Sequence, residues 1–141
     1  MSADSTPTNS ALKFSSAARA KLRSREKEVL HYYDDMGPGR GNCTWGSGIL
    51  AHRGPCTAEE LKRPVNAAEV ATEFSSRVAG AERTVRKAVV KQTLNQEQYD
   101  ALVSYTFNMG DRGAASTLKL IDDGKLRQAA SKISIQARTE W

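Results

Sequence analysis

Three side chains in one short stretch could perform acid–base chemistry without a metal: Glu26, Asp35 and Thr44. Eight residues separate Glu26 from Asp35, and eight more separate Asp35 from Thr44. A carboxyl that stays protonated can donate to a leaving oxygen. A second that stays ionised can activate water or attack carbon, and a hydroxyl can hold that water in line. Two carboxyls in unlike surroundings are what cleavage of a glycosidic bond requires. The same residues also have a plainer reading. Glu26 lies in the charge run Arg25-Glu26-Lys27-Glu28, and Asp34 and Asp35 precede the turn formers Gly37-Pro38-Gly39. Spacing alone leaves that plainer reading ahead.

The elements that would position these groups can be read from pattern. AARAKLRSREK is rich in helix formers and has no breaker, which predicts a helix from Ser16 to about Lys27 and puts Glu26 at its end. Val29-Leu30-His31-Tyr32-Tyr33 is apolar, aromatic and β-branched, and it runs into the Asp34-Asp35 turn, which predicts a short strand. Thr44 to Ile49 is expected to be the returning strand, with glycines where a backbone or ligand comes close. A hairpin of this kind brings Asp35 and Thr44 together, while Asp34 is assigned to the turn alone.

Beyond Cys56 the pattern is helical. Thr57 and Glu60 form a capping box for a short helix that Pro64 ends, and Asn66-Ala67-Ala68-Glu69 opens another. Val70, Phe74, Val78, Ala81, Val85 and Val89 recur every three or four residues and predict one apolar stripe, with Gly80 as a candidate bend. Asn95 is placed to cap a central buried helix carrying Tyr99, Leu102, Val103, Tyr105, Thr106, Phe107 and Met109, which Gly110 and Gly113 are expected to stop. Short helices follow at about 116–121 and 126–137. The fold class is therefore α+β: a small β-hairpin lobe beside a mainly helical lobe, with a ligand cleft expected between them. Residues 1–15, rich in Ser, Thr, Ala and Asn, read as a flexible arm before a domain over 16–141.

Composition narrows the partners. The 141 residues carry 21 Lys and Arg against 16 Asp and Glu, a net charge of +5. The excess suits an acidic polymer, but the basic residues are scattered and match no nucleic-acid motif. No apolar run is long enough for a membrane span, and MSADSTPTNSALKFSS has no apolar core of a signal peptide. Cys43 and Cys56 lie in the Gly-rich region, where they can form a disulfide or remain two thiols. Only His31 and His52 accompany them, so no metal centre or other cofactor is expected.

The order Glu, eight residues, Asp, then Thr followed by Gly-x-Gly resembles the catalytic signature of phage-type lysozymes, the endolysin muramidases. In this sequence the parts are Glu26, Tyr33-Asp34-Asp35 and Thr44-Trp45-Gly46-Ser47-Gly48. A second segment, Leu94 to Gly110, is similar to the family's central helix, with its aromatic-Asn-x-Gly ending at Phe107-Asn108-Met109-Gly110. The resemblance runs from about residue 20 to 141. It implies a lysozyme-like fold and an N-acetylmuramidase cleaving the β-1,4 bond between N-acetylmuramic acid and N-acetylglucosamine. Glu26 would be the general acid, Asp35 the base or stabiliser, and Thr44 the residue that positions water. Leu50, Phe107, Asn108, Thr117 and Lys132 would contact the glycan.

The sequence departs from the family pattern at several points. Lys27 stands where Gly usually follows the acid, Gly37-Pro38-Gly39-Arg40-Gly41 lengthens the hairpin, and Ile49 replaces a common His, with His52 nearby. The family's further helix and basic tail have no counterpart before Trp141. A lytic transglycosylase, or a catalytically inactive wall-binding or partner-binding module, are the alternative readings. The expected partner is peptidoglycan, met by a monomer made in the cytoplasm without a signal peptide and acting in the periplasm or cell wall. It would arrive there as a phage endolysin or as an exported antibacterial toxin, the latter matched by an immunity or inhibitor protein.

Overall fold

Residues 8–140 are described in a computed structural model of the chain, with side chains from Asn9 to Ile133. After a short 3-10 turn at Thr8–Ala11, the elements are α1 (Ser16–Arg25), β1 (Val29–Asp34), β2 (Cys43–Gly46), β3 (Ile49–His52), α2 (Ala58–Lys62), α3 (Ala67–Ala88), α4 (Gln96–Asp122) and α5 (Leu126–Glu140). They form two compact units. Lys21–Ser76 make one, and the chain up to Ala20 together with Arg77 onward makes the other. Both α1 and α3 cross from one unit into the other.

The first unit is built on a three-stranded antiparallel sheet in the order β1-β2-β3. Tyr33 faces Thr44 across β1 and β2, and Thr44 faces Leu50 across β2 and β3. The expected single return strand over 44–49 is thus two strands. Gly46 and Gly48, at φ of 61° and 83°, turn the chain between them, a conformation that costs a residue with a Cβ about 1–2 kcal/mol. Gly46 has a second reason to lack a side chain, because an added Cβ would lie 3.2 Å from Val70. Thr57 caps α2 through the expected box with Glu60. Asn66 Oδ1 accepts the Glu69 N–H at 2.8 Å to start α3. Leu22, Val70 and Phe74 are buried here.

The second unit packs α4 and α5 with the later turns of α3, burying Val78, Val85, Val89, Tyr99, Leu102, Val103, Leu118 and Ala129. Gly80 lies inside α3 without breaking it. Gly110 has φ 79° and ψ 165°, so it kinks α4 at the expected place, yet the helix resumes at once and continues through Gly113 to Asp122. The segment read as a flexible arm over residues 1–15 lies partly outside the described residues. From Asn9 onward it is packed. The Asn9 side chain donates to Val89 O at 3.0 Å and Gln92 O at 2.7 Å and accepts from Leu94 N at 2.8 Å, and Phe14 is buried. Small polar residues imitate a linker in composition, but here one buried amide satisfies three backbone groups.

Candidate active site

The unit Lys21–Ser76 contains all three acid–base candidates. Glu26 follows the last turn of α1, where its N–H donates to Arg23 O at 3.1 Å. The chain is pinned on both sides of it. Buried Leu22 anchors the helix end, and the Arg23 guanidinium reaches Glu28 at 2.5 Å while lying 5.1 Å from the centre of the Phe74 ring. Glu26 is half-buried, and the neighbouring Lys27 is exposed.

β1 carries the chain from that end of the sheet, where Val29 faces Gly46, to the other end, where Asp34 faces Cys43. Asp35 comes next and is exposed. Its backbone N–H donates to Asn42 O at 3.1 Å, and its Oδ1 accepts the Asn42 N–H at 2.8 Å. Thr44 is buried, and its hydroxyl donates to the same Asn42 carbonyl at 3.0 Å. Asn42 thus joins the carboxylate to the hydroxyl, and its own side chain accepts from Gly54 N at 2.9 Å. The charge of Asp35 is felt by Tyr33, whose phenol is held above its ordinary range first by burial and then by that carboxylate. Leu50, beside Thr44 on β3, is 56% exposed.

Two parts of this arrangement were not foreseen. Asn42 has no distinctive spacing, and only the hydrogen bonds mark its role. Asp34 was assigned to a turn, but it also ties two segments together. One oxygen accepts Gly39 N–H and the other Cys56 N–H, each at 2.7 Å. These two bonds, Cys56 first, hold its carboxyl below the ordinary range. Cys43 and Cys56 are joined in a disulfide that closes the same region. Their sulfurs and a Glu60 oxygen lie within 4.8 Å of one another, the group of this kind found among the described residues.

The remaining candidates lie in the helical unit. Phe107 is buried, with the Arg77 guanidinium 4.2 Å from its ring centre. Asn108 is half-buried, and its Nδ2 has no hydrogen-bond partner among the described residues. Such a buried donor without a partner is a costly feature. Thr117 is only 1% exposed and shares a 3.0 Å hydrogen bond with the Tyr105 hydroxyl. Lys132 is exposed and donates to Ser116 Oγ at 2.7 Å. Of these four, only Lys132 is exposed; Asn108 is half-buried, and Phe107 and Thr117 are buried.

Glu26 directly follows α1, Asp35 directly follows β1, and Thr44 lies in β2. In fold, the chain is similar to the muramidase domain of SpmX from Asticaccaulis excentricus, with a TM-score of 0.62 and 23% identity over 85% of this chain and 76% of that one. A mutant of phage P22 lysozyme is also similar, with a TM-score of 0.58 and 25% identity over 85% of this chain and 80% of the other. No curated protein matches the chain. The phage lysozyme family matches residues 23–139, a span that includes the hairpin as well as the kinked central helix. From the first carboxylate to the last helix, the chain belongs to the phage lysozyme family.

Proposed function

We propose that this protein is a peptidoglycan hydrolase of the muramidase type, cleaving the β-1,4 bond between N-acetylmuramic acid and N-acetylglucosamine. The observation that carries the reading is the Asn42 bridge, which holds the Asp35 carboxylate and the Thr44 hydroxyl on one backbone unit. Asp35 Oδ1 is engaged by Asn42, and the exposed carboxylate keeps capacity to accept a proton from water. Thr44 donates its proton to Asn42 O, so its lone pairs are available to the hydrogens of that water. Glu26, half-buried at a pinned helix end, protonates the departing glycosidic oxygen. Water attack from the face opposite the leaving group inverts the anomeric carbon, and this geometry needs carboxyls about 6.5–9.5 Å apart. By the family resemblance, exposed Leu50 contacts the glycan from the sheet unit, and in the helical unit the same role falls to exposed Lys132 and half-buried Asn108, with Phe107 and Thr117 buried. The action is in the periplasm or wall, by an endolysin or an exported toxin.

The test has two readouts. Wild type is expected to clear permeabilised Gram-negative cells, while Glu26→Gln and Asp35→Asn do not. Equal clearing by wild type and Glu26→Gln would rule out the acid assignment. Mass spectrometry of digested peptidoglycan is expected to show reducing muramic ends. Anhydro ends would instead identify a lytic transglycosylase, which needs the Glu but no water-activating base.

A further inference from the structure

We infer that the reduced chain carries a divalent-metal site, formed by the thiolates of Cys43 and Cys56 with Glu60 and His52, at the place the disulfide occupies in the oxidised chain. The sequence argued against zinc because two cysteines and one nearby histidine fall short of a ligand set. The fold supplies the missing donor. Capping of α2 turns Glu60 back toward β2, so that its Oε1 lies 3.8 Å from Cys43 Sγ. Both sulfurs and a Glu60 oxygen fall within 4.8 Å of one another. His52 lies outside that group, but it faces Cys43 across β2 and β3, and its Nε2 lies 2.8 Å and 3.0 Å from the two Glu60 oxygens, so a shift of the sulfurs on reduction has to bring it within reach of the ion.

The surrounding bonds already resemble those of a ligating set. His52 Nδ1 donates to Arg53 O at 2.9 Å, which fixes the ring and leaves Nε2 as the inward atom. A backbone carbonyl on the far nitrogen is the usual support of a metal-bound imidazole. The Thr57 N–H donates to Glu60 Oε1 at 2.7 Å and orients the carboxylate in the same way. The Cα atoms of the two cysteines are 4.6 Å apart, so both sulfurs can reach one ion at about 2.3 Å. Cys43 is buried, while His52 and Cys56 are partly exposed, giving the ion a route from the His52 side. Two thiolates with an imidazole and a carboxylate select a borderline-soft, tetrahedral ion, and zinc fits best.

The exchange balances. A dithiol reductant delivers two electrons and two protons, the S–S bond breaks to two thiols, and the reductant becomes a disulfide. Zinc then displaces one proton from each thiol and the proton shared by His52 and Glu60. The ion links β2 to the segment before α2 in a reducing compartment, as the disulfide does in an oxidising one.

The test titrates Co2+, as a spectroscopic substitute for zinc, into the full chain in its anaerobically reduced and its oxidised forms. The reduced chain is expected to develop a sulfur-to-cobalt charge-transfer band and intense tetrahedral visible bands, saturating at one ion per chain and lost on adding one equivalent of Zn2+. The oxidised chain is expected to show neither. Glu60→Gln keeps the capping box but removes the carboxylate, and it and His52→Ala are each expected to weaken binding at least about tenfold. Circular dichroism on each variant confirms that α2 and the sheet are retained. Absence of the charge-transfer band, a stoichiometry other than one, or unchanged affinity in both variants would overturn the site.

Discussion

Gly41→Ala is the substitution that most directly questions the role of Asp35. Gly41 has φ of 77°, and a Cβ built there would lie 2.0 Å from Asp35 Oδ1 and 2.8 Å from Met36 Cγ. Ordinary contact begins at 3.4 Å, so the carboxylate oxygen has to move by about 1.4 Å, and a displacement of that size at a reacting group costs about a hundredfold in rate. The backbone conformation adds a stability cost of about 1–2 kcal/mol for a residue with a Cβ. That corresponds to a melting temperature lower by about 3–8 °C in a chain of this length. Gly39→Ala separates the two effects. Gly39 has φ of 75° but nothing within 4 Å of its Cβ position. Both variants should lose similar stability, and only Gly41→Ala should lose activity. The assay is the initial rate of turbidity loss of permeabilised Gram-negative cells, measured well below either melting temperature. Equal rates in the two variants would refute the placement of Asp35 in the chemistry.

Other consequences can be measured on the same protein. Gly110, at φ 79° and ψ 165°, occupies a region essentially closed to other residues, so Gly110→Ala should cost about 1–3 kcal/mol in denaturant unfolding; no loss would mean the kink is not required. Tyr99→Phe removes the hydroxyl that donates to Glu82 Oε1 at 2.8 Å, an oxygen that also accepts Phe14 N–H at 2.8 Å. The loss should be about 1–2 kcal/mol, with faster hydrogen exchange at Phe14, and unchanged exchange would separate Tyr99 from that contact. His52 is held above its ordinary pKa of 6.5, first by the Arg53 carbonyl and then by Glu60, and Glu60 is held below 4.5, first by His52 and then by Thr57 N–H. The histidine contribution is complete below 6.5 and fades as pH rises through its folded value. The glutamate contribution is complete above 4.5 and fades as pH falls through its lower folded value. Melting temperature in the oxidised protein should therefore be highest between those limits, and His52→Asn should flatten the alkaline fall. A parallel decline in variant and wild type would count against the pair.

Features fixed by short-range chemistry were legible in the sequence. The boxes at Thr57–Glu60 and Asn95–Gln98 form as their spacing requires, and every member of the stripe from Val70 to Val89 is buried. The misreadings arose where distant groups decide the outcome. Gly46 and Gly48 looked like tolerant positions within one strand, whereas Val70 on α3 and the need for a turn make them the joint between two. Gly110 and Gly113 looked alike, but only Gly110 takes a positive φ, so only it redirects the helix. The carboxylates and threonine could be found by spacing and resemblance. Asn42, which connects two of them, could not, because its contribution comes mainly through its backbone.

The interleaving of the two units orders events during synthesis. Lys21–Ser76 is one uninterrupted stretch, so its sheet and disulfide partners all leave the ribosome before α3 is complete. Residues that precede this stretch have to wait longer. Asn9 finds its acceptors only when Val89 and Gln92 emerge, and Ser15 finds its own only with Asp100, whose carboxylate accepts its N–H at 3.0 Å. Closing loops of that length is slow compared with local pairing. This stretch of the nascent chain therefore matures from Lys21–Ser76 outward, and Asn9 and Ser15 are stitched down late.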